Sequence, residues 1–283
     1  MTTYTTSPDQ LSGVWPSNTE PGVWDRSDSW SQRLQDDIDD GPLNEIRDTA
    51  ENVEKGMTPC IVSIGPSSIH EMVELREISG YKAHILGIEA HSGRHHDITE
   101  AIHDRGLQQE LRVFIGNGWY LADCLPAVLP EEKIVAIVAA NSLGIAIHSS
   151  LSESVTGNYI QSFLNQAKQL FDKKGLLLIS VGTAVMELEF SEDTFIWRPH
   201  NCYEAVFRQV TRSGPNLTTP MVTNMWPLWI GEFQKRGDFK FLDIDDNIVR
   251  TPTPTHTHKI TSLNFRELVP CRFISEKEVQ KLS

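Results

Sequence analysis

The chain has 283 residues, 39% of them hydrophobic, four cysteines and a formal net charge of −13 at neutral pH. That content is enough for one large domain, or a domain with a small cap, and no apolar run approaches the ~20 residues of a membrane helix. The negative charge repels nucleic-acid phosphates and anionic membranes, which leaves a small molecule as the expected substrate class.

Residues 1–57 are polar, acidic and rich in Ser, Thr and Pro, and read as an N-terminal extension or helical cap ahead of a catalytic domain over 58–283. The opening MTTYTTSPDQ has no basic stretch followed by an apolar one, so no secretory leader is expected. Cys60, Cys124, Cys202 and Cys271 stand singly, with no CxxC pair, which points to reduced thiols in a cytoplasmic setting and away from a metal motif. A helix is predicted from about 31 to 55, interrupted near Gly41 and Pro42, with the acidic run Asp36 to Asp40 as a solvated face. Trp15, Trp24 and Trp30 are read either as a lid over the site or as simple packing onto the core.

From Pro59 the pattern alternates between strand and helix. Residues 60–64 form a short β-branched run stopped by Gly65 and Pro66, the mark of a buried strand. Ser68 with Glu71 predicts a capping box for a helix ending at Gly80. A second strand covers 84–88 and closes on Glu89. Asp97 with Glu100 predicts another capping box, for a helix that stops at Gly106. Residues 111–115 give a third strand before Gly116, Asn117 and Gly118, and 134–139 a fourth before Ala140, Asn141 and Ser142. Ile160, Phe163, Leu164, Ala167, Leu170 and Phe171 recur at helical spacing. A fifth strand spans 176–180, a helix carries Trp226, Trp229, Ile230 and Phe233, and two last strands lie at 239–244 and about 259–265. Only a loop separates those two, so they are expected to pair antiparallel. The order predicts an α/β fold: a doubly wound, mostly parallel, seven-stranded sheet with right-handed crossovers and an antiparallel last strand.

Ligands of such sheets bind at the carboxyl ends of the strands, where strand order reverses. Four loops are therefore expected to converge. Gly65, Pro66, Ser67 and Ser68 form a tight turn into a helix whose free N–H groups face a ligand. Glu89 can accept both hydroxyls of a ribose. Asn117, with Gly118, can read an adenine edge or simply make a turn, and Trp119 can stack on adenine or serve the core. Asn141 and Ser142 face the place where a reacting group would lie. His148 is a candidate general base, Tyr159 and Tyr203 candidate substrate holders. His95 with His96, and His256 with His258, are explained by strand alternation and a solvated loop better than as metal ligands, so no metal is expected.

These residues resemble the class I SAM-dependent methyltransferases over roughly residues 59 to 267. Ile64 to Ser68 stands where the family has its glycine-rich first motif, and Gly87, Ile88 and Glu89 match the second strand with its ribose-binding acid. Arg105 to Leu107 followed by Val113 to Asn117 is similar to the family's third-strand segment, with Asn in place of Asp. Phe171 to Ile179 is similar to the segment entering the fifth strand, and Phe233 to Phe239 to the entry of the sixth. The first motif departs from G-x-G-x-G, with Ser67 at the second glycine and Ile69 at the third. The resemblance implies S-adenosylmethionine (SAM) as cofactor and methyl transfer to a small molecule as the default reaction. Transfer or cyclisation of the aminobutyryl arm, as in azetidine-2-carboxylate synthases, stays open, with SAM itself then the substrate. A nicotinamide-dependent oxidoreductase and a non-catalytic scaffold are the remaining readings, and a homodimer is compatible with all of them.

Overall fold

A computed structural model of the chain describes residues 41–66, 68–125, 131–139, 143, 153–181, 184–203, 229, 231–242 and 248–249. In chain order the elements are α1 Gly41–Glu51, β1 Thr58–Ile64, α2 Ile69–Ile78, β2 His84–Glu89, α3 Ser92–Asp104, β3 Leu111–Ile115, α4 Leu121–Cys124, β4 Glu132–Ala139, α5 Glu153–Leu170, β5 Lys174–Val181, β6 Ala184–Ser191, β7 Thr194–Tyr203, β8 Phe239–Leu242 and β9 Ile248–Val249. They build one sheet in the order β3-β2-β1-β4-β5-β6-β7-β8-β9. The pairs β1·β2, β1·β4, β2·β3, β4·β5 and β7·β8 are parallel, and only β6 and β9 run against the rest.

The strands of the parallel half read as near-continuous apolar runs because both of their faces are covered. Alternate side chains enter two separate cores. Val62, Ile64, Leu86, Ile88, Ile137 and Leu177 pack with Ile160, Phe163, Leu164 and Ala167 of α5. Ile61, Ile85, Val135, Val138 and Leu178 pack with Ile46 of α1, Met72 and Leu75 of α2, and Ile98 and Ile102 of α3. Helices thus lie on both sides of the sheet, which is the doubly wound arrangement the sequence predicts. Among the described residues, no helix is long and apolar enough to cross a membrane.

The structure departs from the expected elements in three places. Among the described residues the sheet has nine strands rather than seven, because β6 and β7 form a hairpin directly after β5. Its connection is Glu192 and Asp193, both at positive φ (49° and 64°), and only a type I′ turn has two such central residues. Asn-Gly is the usual sequence there, so the loop carries no turn signal even though Leu188 and Phe190 alternate with the exposed Glu189. β9 supplies the antiparallel partner of β8, while residues 259–265 lie outside the described ones.

Second, α3 starts at Ser92, five residues before the expected Asp97, because the His91 side chain caps it by accepting from the Arg94 N–H. Third, Ser68 is the N-cap of α2 but makes no side-chain cap bond, so the expected capping box does not close. Glu71 meets Ser63 of β1 instead, whose hydroxyl donates to it at 3.5 Å. The helix ends at Gly80 and Gly106 follow the sequence: both glycines sit at φ +67°, the left-handed region where a Cβ is disfavoured.

Candidate functional site

The chain leaves β1 toward β2 and β3 on one side, then returns to place β4 on the other, so strand order reverses between β1 and β4. At the carboxyl ends of these strands the backbone ties the loops together. The Gly65 N–H donates to Ile88 O at 2.7 Å and the Gly116 N–H to Glu89 O at 3.0 Å, which fastens the ends of β1, β2 and β3 side by side. Glu89 lies directly opposite Ile115, two residues before Asn117. The loops of the first three strands therefore share one edge of the sheet, as the sequence reading requires.

Gly65 turns the chain at φ +65°, a conformation most side chains avoid. Pro66 lies against Gly87 of the next strand, where a Cβ would stand 3.1 Å from its ring. The loop after β1 is thus pressed onto β2, with the Ile69–Ile78 helix beginning immediately beyond. Ser67 lies outside the described residues.

Glu89 is 4% exposed. One of its oxygens accepts from the His91 N–H at 2.7 Å, and Oε2 is buried with no hydrogen-bond partner among the described residues. Burial is the main cause that raises its pKa to about 7, helped by the nearby Glu71 carboxylate and opposed by the His91 and Ala90 N–H groups and by Arg94. A buried carboxylate oxygen without a donor is costly unless something else supplies one. A ligand hydroxyl is such a donor, so this position fits a ribose.

Asn117 closes an Asx turn, its side-chain carbonyl accepting from the Trp119 N–H at 3.0 Å. Only its amide nitrogen is then left to donate to a base edge. Gly118 packs so closely on β1 that a Cβ would fall 2.1 Å from Ile64 Cγ2. Trp119 is 3% exposed and its ring packs on Trp229 (centroids 5.9 Å apart), Phe163 (5.8 Å) and Tyr159 (6.0 Å). That is a core position, which fixes the loop after β3 onto α5 and gives no open face for stacking. Gln166 of α5 holds the same loop, donating to Trp119 O and accepting from the Ala122 N–H.

Tyr159 stands on α5 beside this loop, with its hydroxyl 3.4 Å from that of Tyr120. Tyr203 ends β7, which runs parallel to β8 and in the direction of β5, so its backbone belongs to the same edge. Four strand spacings separate β7 from β1, roughly 19 Å. Tyr203 is therefore not brought to the Glu89 end of the site. Asn141, Ser142 and His148, together with Trp15, Trp24, Trp30, His256 and His258, lie outside the described residues. His95 and His96 sit on α3 and join no cluster of metal-ligating side chains among the described residues.

Residues that sequence reasoning passed over also shape the site. His91 donates its N–H to Glu89 and caps the next helix with its ring. The only signal for it is its place two residues after a strand-terminal acid.

No family model matches this sequence, and no curated protein matches it. Among solved structures it is similar to a protein-L-isoaspartate O-methyltransferase, at 10% identity and a TM-score of 0.36, over 56% of this chain and 43% of that one. It is similar to a SAM-dependent methyltransferase from Aquifex aeolicus at 16% identity and a TM-score of 0.32, over 53% of this chain and 70% of that one. It is also similar to PKMT2 from Rickettsia typhi in complex with AdoHcy, at 17% identity and a TM-score of 0.34, over 50% of this chain and 24% of that one. The chain spans under half the length of the first of these.

Proposed function

We propose that the chain is a SAM-dependent transferase acting on a small molecule, with methyl transfer as its reaction. The observation that carries this reading is Glu89, a buried carboxylate at the strand-order reversal with one oxygen lacking a protein donor among the described residues. Two ribose hydroxyls would complete it, each charged hydrogen bond contributing about 1.5–3 kcal/mol.

Charge favours a sulfonium over a nicotinamide dinucleotide. A pyrophosphate bound at the start of α2 would meet Glu71 in the first turn, and Pro66 offers it no N–H. SAM carries no phosphate and a positive sulfur, so the same residues suit it. When bound, SAM supplies an electrophilic carbon adjacent to that sulfur.

The chain's own residues bind and orient. Glu89 holds the ribose, Gly65 lets the backbone approach closely, and Asn117 Nδ2 donates to the base edge. Asn141 and Ser142 remain candidates for the reacting centre, His148 the candidate general base, and Tyr159 and Tyr203 candidate acceptor holders. Such positioning can lower a barrier by as much as about 7–11 kcal/mol. The net charge of −13 favours a small acceptor over a nucleic acid.

The test is calorimetry on the full chain with S-adenosylhomocysteine and, separately, NAD. Heat is expected with the first alone. Incubation with SAM and small acceptors should then release S-adenosylhomocysteine, whereas methylthioadenosine would move the chemistry to the aminobutyryl arm. No heat with either SAM or S-adenosylhomocysteine overturns the reading.

A further inference from the structure

The amino ends of the central strands, at the edge of the sheet away from Glu89, carry a second set of polar side chains inside the core. Cys60 of β1 is opposite His84 of β2, and Thr58 of β1 is opposite Glu132 of β4. Side chains two apart on a strand share a face, so Cys60, His84 and Glu132 all point to the same side of the sheet. One ligand atom from each, thiol sulfur, imidazole nitrogen and carboxylate oxygen, lies within 4.8 Å of the others. Cys60 is fully buried and the Glu132 side chain is 1% exposed, while the His84 side chain is 27% exposed and gives the cluster its opening to solvent. Glu132 Oε1 is 2.7 Å from His84 Nδ1 and also accepts from Arg112 of β3, whose side chain is 24% exposed.

We propose that Cys60, His84 and Glu132 form a binding site for a divalent cation of the zinc type, distinct from the candidate active site. Sulfur, nitrogen and oxygen donors together select borderline metals such as Zn²⁺ and Co²⁺ over Mg²⁺ or Ca²⁺. With Zn–S of ~2.3 Å and Zn–N or Zn–O of ~2.0–2.1 Å, tetrahedral ligand atoms stand roughly 3.3–3.6 Å apart. Small rotations of three side chains reach that spacing, and a water completes the fourth position.

Charge balance supports the exchange. Without metal, the Glu132 carboxylate is neutralised by the Arg112 guanidinium, whose Nε is buried with no partner among the described residues. With metal, the dication neutralises the Glu132 carboxylate and the Cys60 thiolate, and Arg112 is released toward solvent. The Cys60 S–H bond breaks, an S–metal bond forms, and one proton leaves to water, with no change in oxidation state. The buried cluster stays neutral in both forms, which avoids the large cost of an unpaired interior charge.

Sequence spacing hides this site, since its ligands come singly from three strands. The test is Co²⁺ titration of the full chain under reducing conditions, followed by absorbance. A near-ultraviolet sulfur-to-cobalt charge-transfer band is expected, bleached by Zn²⁺, along with a melting temperature raised by several degrees in Zn²⁺. Cys60→Ser should lose the band. His84→Gln changes a partly exposed side chain and keeps the fold testable if Cys60→Ser does not fold. It should weaken Co²⁺ binding by more than the roughly 10–100-fold cost of losing an outer-shell partner. No band in the native protein, or a band unchanged in His84→Gln, overturns the proposal.

Discussion

Glu89 stands between two demands. In the proposed reading its carboxylate accepts two ribose hydroxyls and must be charged to do so, yet burial raises its pKa to about 7. An acid whose folded pKa lies above its unfolded value binds more protons when folded, so ν_U − ν_N is negative between the unfolded pKa and about 7. Stability therefore falls as pH rises through that window, and the full cost is present above it. Glu89→Gln keeps the oxygen that accepts from His91 and removes the charge. Urea denaturation at pH 8 should find the ligand-free variant more stable by on the order of 2–3 kcal/mol, with the gain vanishing near pH 4. Calorimetry on the same variant should show S-adenosylhomocysteine binding weakened by about 10- to 100-fold. In the native protein, binding should weaken as pH falls below 7. Gly118 meets a different constraint. Its added Cβ would overlap Ile64 Cγ2 at 2.1 Å, so Gly118→Ala should cost about 1–3 kcal/mol in a denaturant melt, the ordinary cost of overpacking.

Among the elements, the β6–β7 hairpin is the clearest case of local sequence and local backbone disagreeing. Two L-residues, Glu192 and Asp193, hold the left-handed region in a two-residue turn. Tertiary contacts repay that strain. Phe190 stacks on Phe171 and packs at a tilt on Phe195, which packs in turn on Phe239, and Lys168 of α5 donates to Asp193 O at 2.9 Å. The Asp193 carboxylate adds only an exposed ion pair to Lys168 at 3.8 Å, so the double substitution Glu192→Asn with Asp193→Gly should keep the hairpin and relieve strain. A gain of about 1 kcal/mol or more in urea is expected. A second tie crosses the same region: Arg236 forms two bonds to Asp238 and reaches Gln161 and Asn165 on α5. Arg236→Ala removes these charge-assisted bonds together and should destabilise by about 1–3 kcal/mol, measured by the same denaturation.

At the scale of the whole molecule, both edges of the sheet gather polar side chains. The carboxyl edge gathers Gly65, Glu89 and Asn117 because parallel strands all end there, and the amino edge gathers Cys60, His84 and Glu132 for the same reason. Ligands at the two edges should therefore stabilise the chain independently. S-adenosylhomocysteine at 100 times its Kd should contribute about 2.7 kcal/mol whether or not Zn²⁺ is present, read as additive shifts in melting temperature. The alternation of apolar runs with helical periodicity made β1 to β5, α2 and α5 legible, since each depends on period and punctuation close in sequence. Glu89 was legible too, as an acid ending an apolar strand. Its oxygen without a partner among the described residues, the core placement of Trp119, the His91 cap and the hairpin were not, because each depends on which distant groups pack around a residue. Local pattern determined how the chain is cut into elements and which loops point together. Packing alone decided which polar atoms are buried without a partner and which three strands bring thiol, imidazole and carboxylate together, since burial and proximity belong to the assembled layers and to no stretch of sequence.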